Sequence, residues 1–463
     1  MMAITHPLWA ARPMKSRSES ILSKLCLVSF ALTHVVHAQT PTTPSREAVA
    51  PAPVAFTTAP LTSIWTKRDR LNVDLFYYPD MPIGVLRTQD SSQYLFFAPG
   101  TGLNQATQPN GEYVSAGTLD QFAPAIKGPS GPQPSMKSGL LQPAPDGDYD
   151  RDYAGGGPIY VLGRPEYRLK GTVDRGNDQA LLLILLYHGE YHPDAGKGLP
   201  FYGVSALAVS RDQGNGFVKI GEILSPHSTL GETAATGLSV TADGALVEAD
   251  DNGYPVADSS ADRERTYIYC LFSDRVTPDS PSGFSLARVS KKDFIDAVLN
   301  GQAPVFKKYY RPSAAGAGSR SDFFTEPGIG GNSTFVVTQS GNYIATPQVR
   351  FAKALHKFVL VYPQNQNSVW IRFADNLFEW SAAQPLYVAS DPVTKVFYAS
   401  AVGRGHDPTI LGTDFYVYFV TGQVFQFQNI WTGPNGTLVR EEITIGPKTP
   451  GAPGSDEDDE AKE

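Results

Sequence analysis

Tyr187-His188-Gly189-Glu190-Tyr191-His192 is a dense group of polar and titratable side chains in a chain of 463 residues. It directly follows the apolar run Leu181 to Leu186, so a β-strand is predicted to continue through it. The strand period of two puts His188, Glu190 and His192 on one face and Tyr187, Gly189 and Tyr191 on the other. Three ionisable groups on one face are costly to bury unpaired, so they are expected to line a cleft or a channel. Glu190 suits a proton donor there, with the histidines binding hydroxyl groups or adjusting its pKa. The same spacing can hold a divalent metal if ligands join it from elsewhere, and a solvated strand edge is the third reading. Asp80, in Asp80-Met81-Pro82, suits a base that activates water, or a nucleophile; the alternative is a turn Asp bonding its own backbone. Glu326 stands in Thr325-Glu326-Pro327-Gly328, followed by glycines that let backbone approach a ligand and by Asn332 and Ser333, which can bond hydroxyls. It suits an acid, or an exposed turn. Arg404-Gly405-His406-Asp407-Pro408 is a further cluster, where Asp407 orients His406 or both belong to a salt-bridged loop.

These residues lie far apart in the chain, so a fold must gather them. Tyr94 to Phe97, Leu181 to Tyr187, Tyr267 to Phe272, Phe358 to Tyr362 and Phe415 to Val420 are apolar, aromatic runs flanked by turn-formers, which predicts strands. Weaker strands alternating with period two follow, as in Val204 to Ser210, Phe284 to Val289 and Val369 to Phe373. The unit recurs loosely along the chain. One helix is predicted, with Ser290 capping Lys291 to Leu299 and Gly301 just beyond its end. A single helix among so many strands argues against a parallel α/β fold. The expectation is an all-β chain, a five-bladed β-propeller with one short helix and blades centred near residues 90, 190, 275, 345 and 410. A decorated β-sandwich is the alternative.

The order of several short phrases resembles that of five-bladed propeller glycoside hydrolases and related uncharacterised exported propellers. Asp80 to Leu86, then Asp90 and Tyr94 to Phe97, resembles their first-blade opening. Ser210-Arg211-Asp212-Gln213-Gly214 resembles their A-x-S-x-D-G phrase, and Asn376 to Trp380 resembles D-L-x-x-W. Thr325-Glu326-Pro327-Gly328 resembles the Glu-Gly-Pro turn that carries the general acid, with Pro and Gly exchanged. The Asp-Pro turn that tunes the acid in that family has no counterpart; the second blade offers Gly155-Gly156-Gly157-Pro158 instead. The resemblance implies hydrolysis of a polysaccharide or oligosaccharide by a carboxyl pair at the propeller axis, drawn from Asp80, Glu190 and Glu326. His188, His192, Asn332, His406 and Asp407 would bind the carbohydrate substrate. A non-catalytic propeller that binds carbohydrate or protein, and a metal-dependent hydrolase or lyase, are the competing functions.

Composition bounds these readings. Lys and Arg number 38 against 46 Asp and Glu, a formal net charge of −8, which lacks the basic stripe that nucleic acid requires. There is no G-x-S-x-G elbow, phosphate-binding loop, dinucleotide fingerprint or C-x-x-C pair, so no cofactor or resident metal is expected. Lys15, Arg17 and Lys24 precede an apolar stretch, Leu25 to Val36, and Val36-His37-Ala38 fits a small-x-small cleavage site. Residues 1–38 are therefore read as a signal peptide and the protein as secreted or periplasmic, with no membrane span in the mature chain. Residues 39–60 read as a Pro/Thr/Ala-rich linker, 61–447 as the propeller and 448–463 as an acidic disordered tail. Cys270, the lone cysteine after the signal, reads as a small core residue. Trp65, Trp370, Trp380 and Trp431 are expected mostly to pack between blades.

Overall fold

The computed structural model describes residues 54–73, 75–87, 94–102, 111–121, 126–128, 131–133, 136–137, 140–144, 149–162, 182–193, 200–212, 214–256, 265–275, 281–312, 319–405, 407–423 and 436–446. The predicted signal peptide and acidic tail lie outside them, as do His406, Trp431 and Asp90. No described helix is long and apolar enough to cross a membrane.

Strands are long and apolar where both faces are buried. In Leu182–Tyr191, Leu182, Ile184 and Leu186 face one core while Leu183, Leu185 and Tyr187 face another. In Lys357–Gln364, Phe358, Leu360 and Tyr362 face one side while Val359 and Val361 face the other. A strand sandwiched in this way reads as a continuous apolar run rather than an alternating one.

Antiparallel pairing gives five blades, of which the second and third are also joined by a short parallel pairing of residues 201–204 with 238–241. The first holds Gly84–Arg87, Tyr94–Gly102, Gly111–Gly117 and Met136–Lys137. The second holds Tyr153–Leu162, Leu182–Tyr191, Phe201–Ser210 and Val218–Leu224. The third runs Leu238–Ala249, Tyr267–Arg275 and Gly283–Ser290, edged by Lys307–Tyr309 and Phe335–Thr338. The fourth is Gln348–Ala352, Lys357–Gln364, Ser368–Asn376 and Gln384–Val388. The fifth is Thr394–Gly403, Asp414–Gln423 and Thr437–Ile445. Residue 345 therefore marks the entry to the fourth blade rather than its centre.

The cores show that the blades form a ring. One core joins the first and second blades, and three more join the second to the third, the third to the fourth and the fourth to the fifth. A fifth core packs Val85, Phe96 and Tyr113 of the first blade against Tyr398, Tyr418 and Leu438 of the fifth. This cyclic series of five cores makes a five-bladed propeller, where a two-layer sandwich would have a single core between its sheets. Hydrogen bonding also closes the ring: Phe56–Thr58 and Thr62–Trp65, early in the chain, complete the fifth blade by pairing with Thr437–Ile445. The strand Phe56–Thr58 corrects the linker boundary, because backbone groups in that Pro/Thr/Ala-rich stretch find partners on a strand edge that local composition does not reveal.

The predicted helix is present as Lys291–Leu299, with Ser290 Oγ accepting from Asp293 N at 3.1 Å. Two more short helices correct the count. Lys67–Leu71 and Leu230–Thr236 each start at a threonine capping box, with Thr66 and Asp69 in one and Thr229 and Glu232 in the other. Cys270 is fully buried between blades, and burial pushes its thiol pKa up, as befits a packing residue. Trp65 and Trp380 are buried, and Trp370 is partly buried.

Candidate active site

Antiparallel pairing puts the start of every innermost strand at the same end as the finish of its neighbour. Tyr153 thus faces Glu190 in register, and Val240 faces Arg275. Polar contacts at this end tie neighbouring blades together.

Asp80 sits in the turn that leads into the first blade's inner strand. Its N–H donates to Pro99 O at 2.9 Å, and Ile83 N, just beyond, donates to Ser400 Oγ of the fifth blade at 2.8 Å. The Tyr398 hydroxyl donates to Asp80 Oδ1 at 3.0 Å, and the Tyr153 hydroxyl donates to the Asp80 carbonyl at 3.4 Å. Tyr398 reaches in from a bulge in the fifth blade, where its φ is 58°. Burial pushes the Asp80 carboxyl well above its usual range, and the charge of Glu190 pushes the same way. The hydrogen bond from Tyr398 and the charge of His188 oppose them without prevailing.

Gly155-Gly156-Gly157-Pro158 forms a bulge in the second blade's inner strand, with a register break between Gly156 and Ile159. A Cβ on Gly157 would stand 1.3 Å from Pro82 O, so only glycine lets the two inner strands approach this closely beside Asp80. Beneath the bulge, Gly156 N donates to Glu112 Oε2 at 3.0 Å. Glu112 is wholly buried, and burial pushes its carboxyl well up.

The second blade contributes the polar face that strand alternation predicts. His192 Nε2 is 2.8 Å from Glu190 Oε2, and His188 Nε2 is 3.5 Å from Glu190 Oε1. Tyr187 faces the other way, donating to Asp150 at 3.1 Å. Phe201, which opens the next strand, stacks on both imidazoles, at 5.6 Å from His188 and 5.2 Å from His192. On its other nitrogen, Nδ1, His188 meets Asp243 Oδ1 at 2.5 Å. Asp243 belongs to a bulge in the third blade's inner strand and has φ 58°. Burial opposes charge on His188, but Asp243, Glu190 and Asp80 outweigh it and lift the imidazole to about 9. At neutral pH an imidazolium therefore stands between Asp243 and Glu190.

This end of the ring thus gathers Asp80, Glu190, His188 and His192 of the expected residues. Glu326, Asn332 and Asp407 lie elsewhere, and His406 falls outside the described residues. Glu326 is on the outer strand Phe324–Pro327, which pairs with Lys307–Tyr309 at the edge of the third blade, and its Oε2 accepts from Asn332 N at 3.2 Å. Neighbouring Ser333 donates to Asp274. Glu326 and Asn332 therefore have a local bond to each other in a turn, and the glycines around them shape a hairpin. Asp407 accepts from Thr409 N at 2.8 Å and Thr409 Oγ1 at 2.6 Å, which makes it a turn residue. Sequence reasoning missed Asp243, Tyr153, Tyr398 and Glu112. Asp243-Gly244 was a readable signal, since an Asp-Gly pair inside a strand pattern marks a bulge. Among the described residues no group of three or more His, Cys, Asp or Glu is disposed to hold a metal ion.

No family model and no curated protein matches the sequence. Solved structures resemble the fold. A family 117 glycoside hydrolase of the marine bacterium Zobellia galactanivorans matches over 84% of this chain and 90% of its own, with 11% identity and a TM-score of 0.43. The catalytic domain of a family 62 α-L-arabinofuranosidase from Coprinopsis cinerea matches over 85% and 98%, with 10% identity and a TM-score of 0.41. A protein of unknown function from Dyadobacter fermentans matches over 83% and 99%, with 9% identity and a TM-score of 0.39.

Proposed function

We propose that this protein hydrolyses a glycosidic bond of a polysaccharide or oligosaccharide, with Asp80 and Glu190 as the carboxyl pair. One observation carries the reading: two acids 110 positions apart in the chain lie at one end of the ring, where burial and the charge of Glu190 together favour the protonated form of Asp80. Hydrolysis of a glycoside needs that division, one carboxyl group protonated and the other ionised. Asp80 then protonates the leaving-group oxygen. Glu190, paired with His192 and facing the His188 imidazolium, then activates water or attacks the sugar. This reverses the roles that the turn at Asp80 and the strand at Glu190 suggest by themselves. The basic and apolar stretch up to Ala38 supports action outside the cytoplasm.

The test is to assay wild type, Asp80→Asn and Glu190→Gln on plant, algal and mycobacterial glycans. Each variant is expected to lose at least ~100-fold in kcat on unactivated substrates. Aryl glycosides with good leaving groups should restore Asp80→Asn, and azide should restore Glu190→Ala. Rescue in the opposite sense would exchange the roles. A wild type that cleaves none of the glycans, or two variants at full rate, would remove the assignment.

A further inference from the structure

The end of the ring that holds the carboxyl pair carries an aromatic side chain that the carboxyl chemistry does not use. Among the described residues only two aromatic side chains are strongly exposed, Tyr254 at 45% and Tyr343 at 38%. Tyr254 follows the finish of the third blade's inner strand, at the end away from Asp243. Tyr343 lies in the segment between Phe335–Thr338 and Gln348–Ala352, at the end where the carboxyl pair sits.

Tyr343 is held in place. Its N–H donates to Asn365 Oδ1 at 2.9 Å, and Asn365 N donates back to Tyr343 O at 2.8 Å. Asn365 is in the turn that joins Lys357–Gln364 to Ser368–Asn376, and Asn365 and Gln366 both have positive φ, 52° and 55°. Two flanking bonds reach the third blade, Ile344 N to Ser282 Oγ at 2.9 Å and Thr346 N to Ser273 Oγ at 2.9 Å. The Arg275 guanidinium carbon lies 5.3 Å from the ring centre. The hydroxyl end is buried, which pushes its pKa up. The charge of Asp243 adds to that effect and Arg275 opposes it. The ring is thus fixed by its backbone and by Arg275 while 38% of the residue stays open to solvent.

A fixed, half-open aromatic ring beside hydrogen-bonding groups suits the C–H face of a sugar. We propose that Tyr343 is a stacking platform for a sugar residue next to the one being cleaved, and so favours oligosaccharides over monoglycosides. This rests on reading the Asp80–Glu190 site as a glycan site and names a specificity-determining residue beside it.

The experiment compares wild type with Tyr343→Ala, Tyr343→Phe and Tyr343→Trp on an aryl monoglycoside and on oligosaccharides of increasing length, together with binding of each protein to immobilised glycans. Tyr343→Ala is expected to raise KM for the longer substrates roughly tenfold, with kcat and the monoglycoside rate little changed, while Phe and Trp keep the preference. Equal losses on short and long substrates, or no loss on either, would overturn the platform. If wild type binds a glycan that it does not cleave and Tyr343→Ala loses that binding, the platform stands and the hydrolase reading falls. If wild type binds no glycan, the platform falls with it.

Discussion

Asp243 controls whether the site contains a positive charge. His188 is buried, and burial alone would favour its neutral form, yet contact with Asp243 lifts its pKa from 6.5 to about 9. The folded protein thus binds this proton more tightly than the unfolded chain does. The resulting stabilisation is fully present below pH ~6.5 and is lost as pH rises through about 9. Asp243→Asn leaves burial as the main influence, so His188 should titrate at or below its ordinary value. The loss of stability between pH 6.5 and 9 should flatten accordingly. Following the imidazole resonances by NMR, with thermal midpoints over the same range, checks both; an imidazole still titrating near 9 in the variant would refute the pairing. In the proposed mechanism the same change removes the cation facing Glu190, so activity should fall at neutral pH while Asp80 keeps its hydrogen bond from Tyr398.

The blades position these side chains through bulges rather than through regular strands. Gly156, Asp243 and Tyr398 each mark a register break in an inner strand. At Gly157 the added Cβ of alanine would meet Pro82 O at 1.3 Å and Pro82 C at 2.5 Å, both backbone atoms that cannot rotate away. Gly157→Ala should therefore destabilise the protein by ~2 kcal/mol or more and spread Asp80 from Tyr153. Gly405→Ala, where nothing lies within 4 Å, should change stability by less than ~0.5 kcal/mol. Urea midpoints of the two variants decide this, and equal midpoints would sink it. The same bulges explain what was readable beforehand. Buried second strands announce themselves as apolar runs, and His188, Glu190 and His192 fall on one face because the strand period is fixed. Asp243 reaches His188 only after the second and third blades have paired, a contact that no local spacing encodes. Glu326 misled because a Glu-Pro-Gly turn serves an outer hairpin as well as an inner one.

At the scale of the whole ring, the early and late parts of the chain meet at one strand seam. Thr437–Ile445 receives Asp414–Gln423 on one edge and the early strands Phe56–Thr58 and Thr62–Trp65 on the other. Under that seam lies Glu441, 5% exposed, with Oε2 lacking a hydrogen-bond partner. Burial raises its pKa from 4.5 to about 7, against a lowering hydrogen bond from Thr58 of the closing strand. From the fourth blade, Tyr387 faces it, and that phenol is raised by burial and by the charges of Asp391 and Glu441. Because the folded state holds the Glu441 proton more tightly, this group favours folding most below pH 4.5, and its contribution declines as pH rises through about 7. Glu441→Gln keeps the shape and removes the titration. The variant should match wild type near pH 4.5 and exceed it at pH 8 by roughly 1–3 kcal/mol, the usual cost of a buried polar group left unsatisfied. Hydrogen exchange at the Phe56–Thr58 amides should slow in parallel at pH 8, because the seam is what the carboxylate loosens. If the two proteins differ equally at both pH values, Glu441 does not govern the closure.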